Sequence, residues 1–143
     1  MKDGRLQASD LMIGDWARSK KWAEKPFKLT SLNANMRYCY GITSIGGLIG
    51  PFLIEELEPI PLAKIHLTKN GFEATNESDT VFVYNDGYEV RVEFDDGMPI
   101  ANVDPCIILR IEFADRELFL PIEYLHELQH AMHLCGIDKK IEL

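Results

Sequence analysis

The chain has 143 residues, of which 46% are hydrophobic and 27% charged, and its formal net charge is −8. These proportions are typical of a folded globular protein and exclude the disordered, fibrous and membrane-embedded classes. The polar start carries no signal peptide, and the longest apolar run, residues 46–54, is shorter than the roughly 20 residues that span a bilayer. We therefore expect a cytoplasmic protein without membrane contact. Three widely spaced cysteines, Cys39, Cys106 and Cys135, fit neither a disulfide framework nor a metal knuckle.

Charge is divided unevenly along the chain. Residues 1–52 carry eight Lys or Arg against four acidic residues, a balance of +4, so the remaining residues carry −12. Residues 18–28 interleave aromatic and basic side chains, the mixture that single-stranded nucleic-acid sites use for stacking and phosphate contact. The predicted contact surface is Arg18, Lys20, Lys21, Trp22, Lys25, Phe27 and Lys28. The structural alternative is a solvated loop with lysines guarding a strand edge, since no known nucleic-acid-binding motif accompanies the segment.

Short strands broken by turns are predicted over the first 60 residues. Four segments have strand composition: residues 16–19, 27–32, 37–42 and 52–54. Asn and Gly residues at 33–35 and 44–47 supply turns, because they tolerate positive φ. Cys39 is expected on the face opposite Tyr38, Tyr40 and Ile42. Several short strands with frequent turns predict a small SH3-like β-barrel lobe over residues 10–60.

A second lobe, over residues 61–143, is predicted to begin with a short helix. Pro61 suits the first turn of a helix over residues 62–70, and Gly71 suits its left-handed cap. Phe72 is then expected to fold back against Leu67, and His66 to lie at the surface or its boundary.

An antiparallel β-meander with one wet face should follow the short helix. Segments 81–84 and 88–94 flank an Asn-Asp-Gly turn, and segments 107–113 and 118–120 flank a second turn. Apolar and charged side chains alternate along these segments, which indicates one buried and one solvated face. A C-terminal helix over residues 121–135, with an apolar stripe, is expected to cover the buried face. The predicted fold class is therefore α+β.

One motif in the C-terminal helix matches a known metal-binding pattern. His126, Glu127 and His130 match H-E-x-x-H, in which two histidines bind zinc and the glutamate activates a bound water. A helical wheel places these histidines and His133 opposite the apolar stripe, facing water. The longer zinc-protease pattern fails because His133 and Gly136 occupy its glycine and final histidine positions. An amphipathic helix with polar outward residues is the preferred interpretation, ahead of adventitious metal binding and of a metallopeptidase site.

Four short motifs together resemble a known family. IGDW at 13–16, LEPIPL at 57–62, KNGF at 69–72 and YLHELQH at 124–130 are similar to the motifs of short uncharacterised proteins encoded in gut bacterial genomes and in their phages or mobile elements. The resemblance spans nearly the full chain. No activity is established for that family, so the resemblance implies no catalytic residues. Its members often carry Gln at the position of Glu127 and Asn at that of His130, which implies a structural helix.

These observations favour a non-enzymatic binding or adaptor protein, of mobile-element origin and without a cofactor. Its basic N-terminal lobe would contact a nucleic acid or a protein with an acidic patch. The alternative hypothesis is a zinc-dependent hydrolase, in which His126 and His130 bind the metal and Glu127 acts as general base.

Overall fold

The computed structural model describes residues 6–19, 22, 25–33, 35–75, 77, 79–94, 107–113 and 115–143. Its contacts group the chain into two units. The first takes Met1–Pro61 with Tyr124–His126 and Leu143, and the second takes Leu62–Glu123 with Glu127–Glu142. Each unit contains one five-stranded antiparallel sheet. Antiparallel sheets combined with helices agree with the predicted α+β class.

The sheet of the first unit has the strand order β4-β3-β2-β1-β5. Its strands are β1 (Trp16–Ser19), β2 (Phe27–Asn33), β3 (Tyr38–Thr43), β4 (Leu48–Leu53) and β5 (Leu57–Pro59), with short 3₁₀ helices over Ala8–Asp10 and Ile54–Glu56. The sheet does not close within the described residues, so the predicted SH3-like barrel is not shown. β4 lies earlier than residues 52–54, and β5 was not predicted, because three residues are too few to show an alternating pattern.

Alternation along the strands builds the core of the first unit. Phe27 stacks on Phe52 with ring centroids 4.9 Å apart. Cys39 is fully buried, and its thiol donates to the Phe52 carbonyl over 3.6 Å. Burial, and secondarily the Glu56 carboxylate, raises the pKa of Cys39 to about 11. This thiol is therefore an unreactive core group, because a raised pKa leaves little of the nucleophilic thiolate at neutral pH.

The second unit contains a meander with the order β10-β9-β8-β7-β6. Its elements are α1 (Lys64–Lys69), β6 (Glu73–Ala74), β7 (Val81–Asn85), β8 (Glu89–Phe94), β9 (Ile107–Phe113), β10 (Arg116–Ile122) and most of α2 (Leu125–Leu134). Val90, Val92, Leu109 and Ile111 are fully buried. Arg91 pairs with Glu89, and Arg110 pairs with Glu117, on the other face. The predicted wet face is thus confirmed.

Two prolines lie outside the helices in which they were predicted. Pro61 forms an isolated bridge with Tyr124, and α1 begins only at Lys64. Pro121 belongs to β10, where it is paired with Ile108, and α2 begins at Leu125. β10 is an edge strand, and an edge strand tolerates proline because one side of its backbone needs no ladder hydrogen bond. A proline in the sequence therefore does not by itself distinguish an edge-strand position from the first turn of a helix.

The ends of both helices follow the predicted chemistry. Gly71 has φ +84°, and the Phe72 N–H donates to the Leu67 carbonyl over 3.0 Å. Gly136 has φ +76° just beyond α2, and the Ile137 N–H donates to the Met132 carbonyl. Both are left-handed caps that satisfy carbonyls at the helix end.

Candidate functional site

The connection between β1 and β2 presents an aromatic and a basic side chain to solvent. Trp22 is 40% exposed, and Lys25 is exposed as well. The Lys25 N–H donates to the Trp22 carbonyl over 3.0 Å, which closes a turn between the two residues. The Trp22 ring and the Lys25 ammonium group are therefore exposed at the two ends of this turn.

Lys28 continues this basic surface onto the sheet. It is half-buried on β2, directly opposite Trp16 of β1. Its Nζ lies 5.3 Å from the centroid of the buried Trp16 ring. A cation over an indole face is attracted by the ring quadrupole, so the indole positions this ammonium group.

Arg18 contributes little net charge to the predicted surface. Its Nε lies 3.4 Å from the carboxylate of Glu58, the residue opposite it on β5. Opposite charges on facing strands stabilise the pairing. Arg18 therefore acts first as a cross-strand partner of β5.

Phe27 was wrongly predicted as a contact residue. Its side chain is fully buried and stacks on Phe52. The segment enters β2 at Phe27, so strand alternation turns Phe27 into the core and Lys28 outward. Lys20 and Lys21 lie outside the described residues.

Sequence reasoning missed an exposed part of the same sheet. Tyr38 and Tyr40 of β3 are 38% and 39% exposed, and Leu48 of β4 is exposed too. Ile42 lies between Lys28 and Leu48 in a row across three strands. The alternating sequence of β3 predicts that both tyrosines share one face. It does not predict whether that face is buried, because burial depends on the elements that pack against it. We call this set, Lys28, Tyr38, Tyr40, Ile42 and Leu48, the open face of the first sheet.

The histidines of α2 do not form one solvent-facing row. His126 is only 4% exposed and stacks on Tyr124 with ring centroids 5.9 Å apart, whereas His130 is half-buried and His133 exposed. The prediction that His126 faces water is wrong. A helical wheel assumes one packing partner along the whole helix, but the contacts of Leu125 and His126 belong to the first unit and those of Glu127 onwards to the second.

Glu127 caps the start of α2. Its Oε1 accepts from the Glu123 N–H over 3.0 Å, which satisfies a backbone donor ahead of the helix. Within the described residues, no group of three or more His, Cys, Asp or Glu side chains is placed to hold a metal ion.

Comparison with protein-family models, with curated proteins and with solved structures found no match for this chain. In the described part of the chain, none of the helices combines the length and the apolar character needed to cross a membrane.

Proposed function

We propose that the first unit is a non-enzymatic binding module for a polyanionic partner. The exposed side chains of Trp22 and Lys25, followed in the sequence by the half-buried Lys28, carry this proposal. A locally basic surface on an otherwise acidic protein attracts an anionic partner while the acidic remainder repels it, so the partner is directed to one region. Nucleic acids and acidic protein patches share the required charge.

We further propose that the first unit is an SH3-like barrel. β4 and β5 lie at opposite edges of the sheet, yet only the 3₁₀ turn Ile54–Glu56 joins them. A 3₁₀ segment of three residues spans about 6 Å, whereas the edges of a flat five-stranded sheet lie about 19 Å apart. This difference supports a strongly curled sheet that brings its two edges towards each other.

Charge reversal at the two described lysines tests the proposed function. Lys25→Glu combined with Lys28→Glu should lower the affinity for fluorescently labelled heparin at least tenfold, measured by fluorescence anisotropy at low salt. The affinity of the unmodified protein should fall as salt rises, because exposed charges are screened. Far-UV circular dichroism reports whether the double variant retains its fold.

The second unit offers a matched control. Lys69 and Lys140 are exposed there, so Lys69→Glu with Lys140→Glu makes the same change in net charge. The control should bind heparin nearly as well as the unmodified protein. Equal losses in the two double variants would show a general charge effect and overturn the proposal.

A further inference from the structure

The spacing of the two exposed tyrosines along β3 suits aromatic ligand groups that are not stacked on each other. Tyr38 and Tyr40 lie two residues apart on one strand, which corresponds to a rise of about 6.8 Å. Bases in a stacked strand are about 3.4 Å apart. The Cα atoms of the two tyrosines are therefore about twice the stacking distance apart, a spacing that suits two bases that are not stacked on each other.

Gly50 of β4 lies close to Tyr40 of β3. A Cβ atom built on Gly50 of β4 would lie 3.0 Å from Cδ1 of Tyr40. The same Cβ would lie 3.1 Å from the Cys39 carbonyl oxygen and 3.2 Å from Cα of Tyr40, and Gly50 has φ +121°, so the backbone itself requires glycine at this position.

A lysine lies on the same face of the sheet as these rings, with its ammonium group over Trp16 of the neighbouring strand β1. Lys28 is directly opposite Ile42, the next residue on the same face of β3 after Tyr40. Diagonal neighbours of this kind are about 7–8 Å apart, within reach of a lysine side chain. The open face thus combines ring surfaces with positive charge, the two components of sites that bind single strands through stacking and phosphate contacts.

We propose that the open face of the first sheet binds single-stranded nucleic acid. Tyr38 and Tyr40 each stack on one base, while Lys28 and Lys25 contact phosphates. Paired bases in a duplex are stacked on their neighbours and cannot cover these rings, so the ligand is single-stranded. This inference rests on the proposed polyanion binding and extends it from charge to base recognition.

The test compares two strands of equal length and charge, fluorescein-labelled (dT)15 and an abasic 15-mer. The unmodified protein should bind (dT)15 more tightly. Tyr38→Leu with Tyr40→Leu should weaken (dT)15 binding roughly tenfold for each ring and leave heparin binding unchanged. Tyr38→Phe with Tyr40→Phe should retain the affinity, because the stacking surface is kept.

Phe119 provides a matched control on the other sheet. It is 55% exposed on β10 of the second unit, so Phe119→Leu removes an exposed ring that does not belong to the open face. This variant should bind (dT)15 like the unmodified protein.

The outcomes separate the inference from the function on which it rests. Equal affinity for (dT)15 and the abasic strand would overturn base stacking and leave polyanion binding intact. Equal affinity for a duplex of the same length would overturn the assignment to single strands. Failure to bind heparin and both strands would overturn both proposals. Circular dichroism of each variant confirms that binding is compared between folded proteins.

Discussion

Asp15 is a buried carboxylate that organises the turn before β1. Its Oδ2 accepts from the Met12 N–H over 2.8 Å. Gly14 has φ +98° and donates its N–H to the Leu29 carbonyl, while the Leu29 N–H donates to the Asp15 carbonyl. The IGDW motif is therefore a structural turn that pairs with β2.

Removal of the Asp15 carboxylate should destabilise the first unit. Asp15→Ala leaves a backbone donor without its acceptor, at a cost of about 1–3 kcal/mol. Asp15→Asn keeps an acceptor oxygen and should cost less. Urea unfolding monitored by Trp16 emission measures both, and equal stabilities for the Ala and Asn variants would contradict this role.

His66 makes stability in the second unit depend on pH. Its Nδ1 accepts from the Ala63 N–H over 3.0 Å, an interaction that requires the unprotonated nitrogen. Burial, and secondarily Lys69, lowers the pKa of His66 below the usual 6.5. The folded state thus binds this proton less readily than the unfolded state. The associated stability is present above pH 6.5 and is lost as the pH falls through the lowered pKa.

Glutamine at position 66 should remove this pH dependence. His66→Gln offers an amide oxygen to the Ala63 N–H and does not titrate. The free energy of unfolding should fall less steeply for this variant than for the unmodified protein between about pH 7.5 and 5. Parallel curves from urea titrations at several pH values would show that His66 does not contribute.

At the scale of elements, β2 and β3 approach closely because position 41 has no side chain. A Cβ built on Gly41 would lie 2.4 Å from Cδ2 of Phe27 and 3.1 Å from the Lys28 carbonyl oxygen. The ring of Phe27 is fixed by its stack on Phe52 and cannot move away freely. Gly41 is thus a packing requirement of this strand pair.

Alanine at position 41 should therefore destabilise the first unit. Overpacking of this kind costs about 1–3 kcal/mol, detected as a lower urea midpoint. The control is Gly47→Ala, whose Cβ would meet only the Thr43 hydroxyl, at 3.3 Å. A loss no larger for Gly41→Ala than for Gly47→Ala would refute the packing argument.

Elements defined by local chemistry were predicted well. Residues 86–88 join β7 and β8, one residue later than the predicted turn at 85–87, with Gly87 at φ +71°. Gly71 ends the segment of α1 as expected. β5 and β6, with three and two residues, depend on their partners β1 and β7. Strands that short carry too few residues for a periodic pattern to identify them.

At the scale of the whole molecule, the end of the chain contributes to the first unit. The Leu125 N–H donates to the Ile60 carbonyl over 2.8 Å, and Tyr124 bridges Pro61. Leu125 itself is fully buried. A fold that joins residues this distant in sequence must close a long loop before these contacts form.

Truncation of Leu125 should destabilise the first unit although the residue lies in the C-terminal helix. Leu125→Ala should cost about 2–5 kcal/mol and should move the unfolding transition reported by Trp16 emission. Leu134→Ala truncates a leucine of the same helix that is 83% exposed and should change stability little. An unchanged Trp16 transition in Leu125→Ala would show that this contact does not support the first unit.

The sequence by itself determined the α+β composition, the main hairpins, the helix caps and the wet face of the second sheet, because each follows from local backbone preference or from alternation along one strand. Only the tertiary structure decided which faces are buried. Phe27 and His126 lie inside, and Tyr38 and Tyr40 lie outside, because burial depends on what packs against a side chain rather than on its own polarity. The candidate site follows the same logic: its basic segment is visible in the sequence, but the partial exposure of Tyr38 and Tyr40 is decided by how the first sheet packs.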